Sequence, residues 1–347
     1  MAESLNTVWN LVNELSAKKG ITEIVINGPK TVFVERGGQF IQLNVSLTKK
    51  DMYDFIDEIA LYNKKNCDAS EPIFDGSMPD GSRINAIIEP FANGSPAISI
   101  RKYIKSINNF NENPGIFGLD PEWIELFKAM VSARMNIVVS GGTGVGKTTF
   151  LNLLLAELSP AERVISIEDT LELSLSVPNV VRLEVRGKGK VNDPHFGTRN
   201  LVKNTLRMRP DRIIIGEIRG AELFDLLQAM NTGHDGSMSS IHSNSPGECL
   251  SRMETLYLLA GFEIPYHVVR KQISTAVDFI VQVSRNREGT RVISQIQEVT
   301  GMEGETVSSQ TIAELKDDKL KSSGLVPKNM EKLHHMGGLP INFFSKG

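Results

Sequence analysis

The sequence predicts an α/β protein in two parts: a small α+β sheet domain over residues 1–101, then a larger domain over residues 120–300. The larger domain is expected to carry a mostly parallel sheet with helices on both faces. Three observations predict this. From Asn136 to Ile241, near-continuous apolar runs alternate with helix-like segments, the pattern of parallel strands buried on both faces. A glycine-rich turn, Gly141-x4-Gly146-Lys147-Thr148, joins one such run to a helix-forming segment. Before residue 102 the runs are short, alternating and punctuated by turns, as in an antiparallel sheet. A length of 347 residues leaves room for about two domains.

The first twenty residues, MAESLNTVWNLVNELSAKKG, read as an amphipathic helix and carry no basic-then-apolar signal pattern. Two β-type runs, Glu23–Ile26 and Thr31–Glu35, flank Asn27-Gly28-Pro29 and predict a hairpin. Arg36-Gly37-Gly38 turns the chain into a third run, Phe40–Val45. Met52, Phe55, Ile56, Ile59 and Ala60 then fall on one helical face, with acids outside it. Pro79-Asp80-Gly81 is another turn, followed by runs at Arg83–Glu89 and Ala97–Arg101. Residues 102–119 are rich in Asn, Gly and Pro, lack periodicity and are read as a linker.

Asp120-Pro121-Glu122 opens a helix, with a cap, a first-turn Pro and an acid near the positive helix end. Strand and helix signals then alternate through Asn136–Ser140, Lys147–Leu158, Arg163–Ile167, Val180–Val185, Thr198–Arg207, Arg212–Gly216, Ala221–Met230 and Ser237–Ile241. A helix-rich stretch from Pro246 to Ala276 and two β runs, Phe279–Ser284 and Val292–Val299, complete the domain. Residues 301–347 read as a polar, partly helical tail.

The glycine-rich turn carries the chemistry. Gly141, Gly142, Gly144 and Gly146, with Thr143 and Val145 between them, let successive backbone N–H groups face phosphate oxygens. The following helix adds its N-terminal positive charge. Lys147 can reach β- and γ-phosphates, and the Thr148 hydroxyl, next to Thr149, can ligate Mg²⁺. The implied ligands are a nucleoside triphosphate and Mg²⁺. Such a loop needs a carboxylate at a neighbouring strand end. Glu217 ends the run Arg212–Gly216; the usual preceding Asp is replaced by Gly216, and Glu217 is read as the acid nearest Mg²⁺, in part through water. Glu168, at the end of another apolar run, is the candidate base for the attacking water. Asp169 and Glu172 either join it or cap the following turn or helix. His242 falls at a strand's carboxyl end and can donate to a γ-phosphate; His234 precedes that strand, and a packing role stays open for it. Arg199, Lys203 and Arg207 share a helix face, with Arg209 just beyond; they form a solvated stripe or aim charge at phosphate, in this site or a neighbour's. Arg182, Arg186, Lys188 and Lys190 read as a solvated basic loop, the only hint of a nucleic-acid translocase.

Composition narrows the class. A net charge of −3 gives no general reason to expect nucleic acid or anionic membrane as a partner. Cys67 and Cys249 form no metal-spaced pair, which fits a reducing compartment. No apolar run approaches the ~20 residues that span a bilayer, so membrane association is expected only through a partner.

Four ordered stretches, GGTGVGKTT, IEDTLEL, LRMRPDRIIIGEIRG and TGHDGSMSSIHSNSP, together resemble the secretion ATPase superfamily of bacterial type II and type IV secretion and type IV pili. In that superfamily they are called Walker A, Asp box, Walker B and His box. VINGPKTVFVERGG, MPDGSRINAIIEPFANGSPAISIRK and EVTGMEGETV are similar to the CpaF/TadA branch, the motor of tight-adherence (Flp-type) pili. The likeness runs from about residue 20 to 312. It implies a homohexamer with ATP between subunits and a RecA-like second domain, cytoplasmic and peripheral at the inner membrane. The partners implied are an inner-membrane platform protein and, indirectly, pilin. It implies Glu168 as catalytic Glu, Glu217 as the Walker B acid and His234 and His242 as the His box. Arg83 and Arg101 match the arginines that reach the nucleotide from the first domain, and Arg207 and Arg209 match further γ-phosphate contacts. Thr170 and Ser239-Ser240 stand where Pro and Thr pairs are common, and long-form members carry a larger N-terminal extension than is present before this sheet domain. A type IV secretion or conjugation motor uses the same engine with different cargo.

Overall fold

A computed structural model describes residues 7–103, 109–112, 115–185, 197–261 and 263–345. The chain divides into two units, Met1–Lys105 and Ser106–Gly347. In the first unit, helix α1 (Thr7–Ala17) buries Val8, Val12 and Leu15, which recur at helical spacing on one face. Strands β1 (Ile21–Ile26), β2 (Val32–Arg36) and β3 (Gln39–Leu43) follow as an antiparallel meander. Helix α2 (Lys49–Tyr62) starts at a capping box. The Thr48 hydroxyl accepts from the Asp51 amide at 3.0 Å, and the Thr48 amide donates to Asp51 Oδ2 at 3.2 Å. Such a cap contributes about 1 kcal/mol. Strands β4 (Ile73–Ser77), β5 (Arg83–Ile87) and β6 (Ala97–Arg101) complete an antiparallel six-stranded sheet ordered β3-β2-β1-β6-β5-β4. Ile24, Ile26, Ile84, Ile98 and Ile100 form its core with Phe55 and Ile59 of α2.

Strand β4 was not among the runs expected from the sequence. Asn63, just past α2, holds it: its side-chain amide donates to the Ser77 carbonyl and accepts from the Ser77 amide, both at 2.9 Å. Gly76 is required there, since a Cβ would lie 2.5 Å from the Phe74 ring and 2.8 Å from Asn63.

The second unit begins before α3 (Pro121–Ser132), within the stretch expected to be linker. Phe110 packs against Phe127 and Phe150, and Phe117 against Phe150, with centroids 5.3–6.4 Å apart. Phe110 and Phe117 therefore anchor that stretch in the core, which periodicity could not reveal in so short a segment. The chain then builds β7 (Ile137–Gly141), α4 (Lys147–Leu155), β8 (Arg163–Glu168), β9 (Asn179–Glu184) and α5 (Thr198–Thr205). Next come β10 (Arg212–Ile218), α6 (Glu222–Met230), β11 (Met238–His242), α7 (Pro246–Leu258), α8 (Tyr266–Ala276) and β12 (Phe279–Arg285). In the nine-stranded sheet these strands lie in the order β12-β7-β11-β10-β8-β9, and every pair among them is parallel. Ile137, Val139 and Ile214 face the core beneath α3 and α4; Val138, Ile213 and Ile215 face the one beneath α6, α7 and α8.

Residues 301–322 are not a helical tail. Strands β13 (Arg291–Glu303), β14 (Thr306–Lys316) and β15 (Lys319–Ser322) extend the sheet by antiparallel pairing, before a short helix α9 (Met330–His335). The strand signal in TVSSQTIAELK is masked by polar residues that pair across the ladder. Gln295 donates to Thr311 at 2.9 Å, and Thr300 to Ser308 at 3.1 Å. Among the described residues, no helix is long and apolar enough to cross a membrane.

Candidate nucleotide site

The apolar strand β7 delivers Gly141 to the carboxyl edge of the sheet, where the chain turns into α4. Gly141 is fixed by space: a Cβ would stand 2.6 Å from the Val283 carbonyl oxygen and 2.8 Å from Val145 Cγ2. Gly144 and Gly146 are fixed by conformation, with φ of +70° and +104°. Lys147 opens α4 and is buried; its Nζ donates to the Gly142 carbonyl at 2.9 Å and lies 3.2 Å from His242 Nδ1. Thr148 and Thr149 follow in the first helical turn, half-buried, beside the positive helix end. Gly142 and Val145 are half-buried, and Thr143 is exposed.

Because β7, β8, β10 and β11 are parallel, their carboxyl ends share this edge. His242 pairs directly with Gly141 in the ladder. Its Nε2 is 2.6 Å from Glu217 Oε1. Burial holds the His242 pKa below its ordinary value; Glu217 opposes this, and Lys147, Arg219 and Arg252 reinforce it. The imidazole thus lies between the Lys147 ammonium, 3.2 Å from Nδ1 and 3.4 Å from Nε2, and the Glu217 carboxylate. Arg219 donates to Glu217 Oε2 at 2.9 and 2.5 Å and to Asp169 Oδ2 at 3.1 Å. The result is one chain of contacts, Lys147–His242–Glu217–Arg219–Asp169, running out from the phosphate loop.

Glu168 is held separately. Its carboxylate is buried; Oε2 accepts from the amides of Glu172 at 2.6 Å and Leu173 at 2.7 Å. Oε1 lies 3.4 Å from the Arg182 guanidinium and 3.3 Å from the Ser166 hydroxyl. Burial raises its pKa, against the pull of the two amides and Arg182. A buried carboxylate with a raised pKa at a strand end is suited to taking a proton from water. The element after Asp169 is strand β9, so Asp169 and Glu172 cap no helix. Asp169 is instead bound to Arg219, and Glu172 lends its amide to Glu168.

Oxygen donors from Thr148 and Glu217 suit a hard cation such as Mg²⁺. Among the described residues, no cluster of three His, Cys, Asp or Glu could cage a metal by itself. A cation held by these two residues would share its shell with phosphate oxygens and water, as Mg²⁺ commonly does.

Arg207, Arg209, Arg199 and His234 lie elsewhere in the unit. Arg207 and Arg209 are exposed between α5 and the amino end of β10, whereas Glu217 lies near its carboxyl end. A seven-residue strand spans about 20 Å at ~3.3 Å per residue, so the two arginines flank the opposite edge of the sheet. Arg199 of the same helix is bound to Asp225 at 2.6 Å. His234 precedes β11 and sits against the end of α6, its Nδ1 3.2 Å from the Ala229 carbonyl. Its neighbour Gly236 makes room for the buried Arg212, which pairs with Glu162 at 3.0 Å; a Cβ on Gly236 would lie 2.5 Å from Arg212. This half of the Gly-His-Asp-Gly stretch thus meets packing demands, while His242, of the two histidines, joins the phosphate loop. In the first unit, Arg83 and Arg101 are direct cross-strand partners on β5 and β6. On its other side Arg101 stands opposite Glu23 of β1, an acid within the same sheet.

Arg182, expected in a basic loop, is on β9; Arg186, Lys188 and Lys190 lie outside the described residues. Arg219, Arg285 and Arg291 were not singled out from sequence. Arg285 donates to the Gly144 carbonyl at 3.0 Å, and the Arg291 side chain covers Gly146. The signal for Arg219 was adjacency to Glu217 in Gly216-Glu217-Ile218-Arg219. For Arg285 and Arg291 it required knowing that β12 pairs with β7.

A sequence model of the family described as "Type II/IV secretion system protein" matches residues 8–315. The chain is 31% identical over 302 residues to the conjugal transfer protein TrbB of Rhizobium radiobacter, covering 86% of this chain and 90% of that one. It is 30% identical over 295 residues to the type IV secretion system protein PtlH of Bordetella pertussis (strain Tohama I), covering 78% and 87%. In structure it resembles the Legionella pneumophila ATPase DotB, with a TM-score of 0.60 and 20% identity over 86% of this chain and 81% of that one.

Proposed function

This chain belongs to the type II/IV secretion system protein family, and from that premise we propose that it is a motor ATPase that hydrolyses ATP to ADP and phosphate with Mg²⁺. The convergence of Lys147, Glu217 and His242 on the phosphate loop, with Glu168 on the adjoining strand end, carries the proposal. Lys147 and the α4 amino end hold the triphosphate, and Thr148 and Glu217 hold the cation with phosphate oxygens and water. Glu168 takes the proton of the attacking water, and His242 stabilises the γ-phosphate.

Charge is supplied from outside the site. Arg207 and Arg209, at the far edge of the sheet, suit contact with a neighbour's γ-phosphate in a head-to-tail ring. Arg83 and Arg101 of the sheet domain are the further nucleotide contacts that the family resemblance implies. A homohexamer is the ring expected from the family resemblance. The chain acts in the cytoplasm, peripheral to the inner membrane, on a platform protein. The flanks similar to the CpaF/TadA branch favour tight-adherence pilus assembly, with pilin as indirect cargo. A type IV secretion or conjugation motor is the second reading, favoured by the similarity to TrbB and PtlH.

A strain lacking the chain, complemented with wild type or Lys147→Ala, tests the proposal. Loss of surface pili with pilin still made, restored by wild type only, supports the pilus motor. Intact pili with lost DNA transfer or protein export would select the second reading, and no phenotype in any of these would refute both.

A further inference from the structure

We propose that Gly216 is a positioning residue: the missing side chain at this point of β10 leaves the space in which Glu168 stands, at the carboxyl edge of the sheet that also carries the phosphate loop. The proposal rests on Glu168 being the base. Strands β8 and β10 run parallel in the register Ser166↔Ile214 and Ile167↔Ile215. The next residues along are Glu168 and Gly216, which therefore stand side by side. Val164 and Ile214 belong to the core beneath α4, and the two-residue period continues that face through Ser166 and Glu168 on one strand and Gly216 on the other.

A Cβ at residue 216 would lie 3.3 Å from Glu168 Cγ and 3.8 Å from Glu168 Cβ. Backbone conformation does not call for glycine, since Gly216 is not among the residues with positive φ. Nor can either partner yield freely. The Glu168 carboxylate is buried and fixed by two backbone amides at 2.6 and 2.7 Å. The Gly216 carbonyl accepts from the Ser240 hydroxyl at 2.7 Å. Directly after Gly216 the β10–β11 ladder slips: Ile215 pairs with Ser239 and Ile218 with Ile241, three steps against two. A bulge of this kind re-aims a side chain, and here Glu217 meets His242. The absence of an Asp before Glu217 thus has a steric cause. An aspartate at 216 would crowd, and repel, the carboxylate on the neighbouring strand.

The test compares Gly216→Ala, Gly216→Asp and Glu168→Gln in the full chain, reading kcat, KM for ATP and Tm. A glycine inside a strand is ordinarily destabilising relative to alanine, which offsets the crowding of Glu168 at 3.3 Å, so Gly216→Ala should change Tm little. A displacement of a few tenths of an ångström at the base should lower kcat roughly tenfold, with KM little changed. Gly216→Asp should fall to the level of Glu168→Gln, and adding Gly216→Ala to Glu168→Gln should cost nothing further. Wild-type kcat in Gly216→Ala overturns the proposal, as does a loss of activity that only tracks a fall in Tm. Normal turnover in Glu168→Gln would instead remove the base assignment, an outcome distinguishable because it does not involve residue 216.

Discussion

Replacing Glu168 with glutamine removes one charge from a buried site while keeping its shape. The retained carbonyl oxygen can accept from the same two amides, Glu172 and Leu173, that now hold Oε2. A positioned general base contributes about 10²–10⁴ in rate, which is roughly 3–5 kcal/mol of barrier. Glu168→Gln should therefore bind a fluorescent ATP analogue like wild type and release phosphate about 10²–10⁴ times more slowly. Stability should move the other way. Burial lifts the Glu168 pKa above its ordinary value; the native state therefore binds this proton more readily than the unfolded chain does. Stability from this group is full below the unfolded pKa and is lost as pH rises through the folded one. Each tenfold difference in proton affinity between the two states is worth about 1.4 kcal/mol. Above that window wild type bears the cost of a buried charge and the variant does not. Thermal unfolding at neutral pH should show Glu168→Gln as stable as wild type or more so, with the advantage disappearing below the ordinary glutamate range. The acid limb of kcat/KM for wild type should also sit above that range. Phosphate release near the wild-type rate would refute the assignment, and a variant less stable at neutral pH would refute the electrostatic reasoning.

Other perturbations have expected outcomes as definite. Gly141→Ala drives a Cβ to 2.6 Å from a backbone carbonyl that cannot swing away; overpacking of this kind costs about 1–3 kcal/mol. Calorimetry should show a Tm lower by several degrees, and an unchanged Tm would mean the loop and β12 do not pack as described. Arg219→Ala should lower kcat while leaving stability nearly intact, because exposed pairs contribute only about 0–1 kcal/mol; unaltered kcat would remove Arg219 from the contact chain that ends at Asp169. Arg207→Ala and Lys147→Ala, each inactive alone, should regain partial turnover when mixed as oligomers, since one subunit then supplies the loop and the other the arginine. Absence of recovery in mixed rings would place Arg207 outside any neighbour's site.

Much of the fold was legible where side-chain periodicity carries the information. The parallel strands are apolar throughout because both faces are covered, and the loop at Gly141–Thr148 has a fixed spacing. Glu217 and His242 were found because parallel strands end on one edge of the sheet, so their positions relative to the loop follow from topology. Arg285 and Arg291 were out of reach, because their approach depends on β12 lying next to β7, a pairing distant in sequence. Residues 301–322 were misread because an antiparallel extension hides its strands behind Gln, Thr and Ser that bond across the ladder. For His234 the packing role left open by the sequence is the one its surroundings show. This histidine shares a stretch with His242, but the length of β11 separates them, and His234 ends up against α6.

The most direct measurement is Mg²⁺-dependent ATP hydrolysis by the purified full chain, wild type beside Lys147→Ala. Lys147 lies buried within 3.2 Å of His242 and bonded to the Gly142 carbonyl, at the centre of the converging groups. Wild type should hydrolyse ATP only with Mg²⁺ present, and Lys147→Ala should bind ATP weakly and show no turnover. Equal hydrolysis by the two proteins would contradict an ATPase built on this loop.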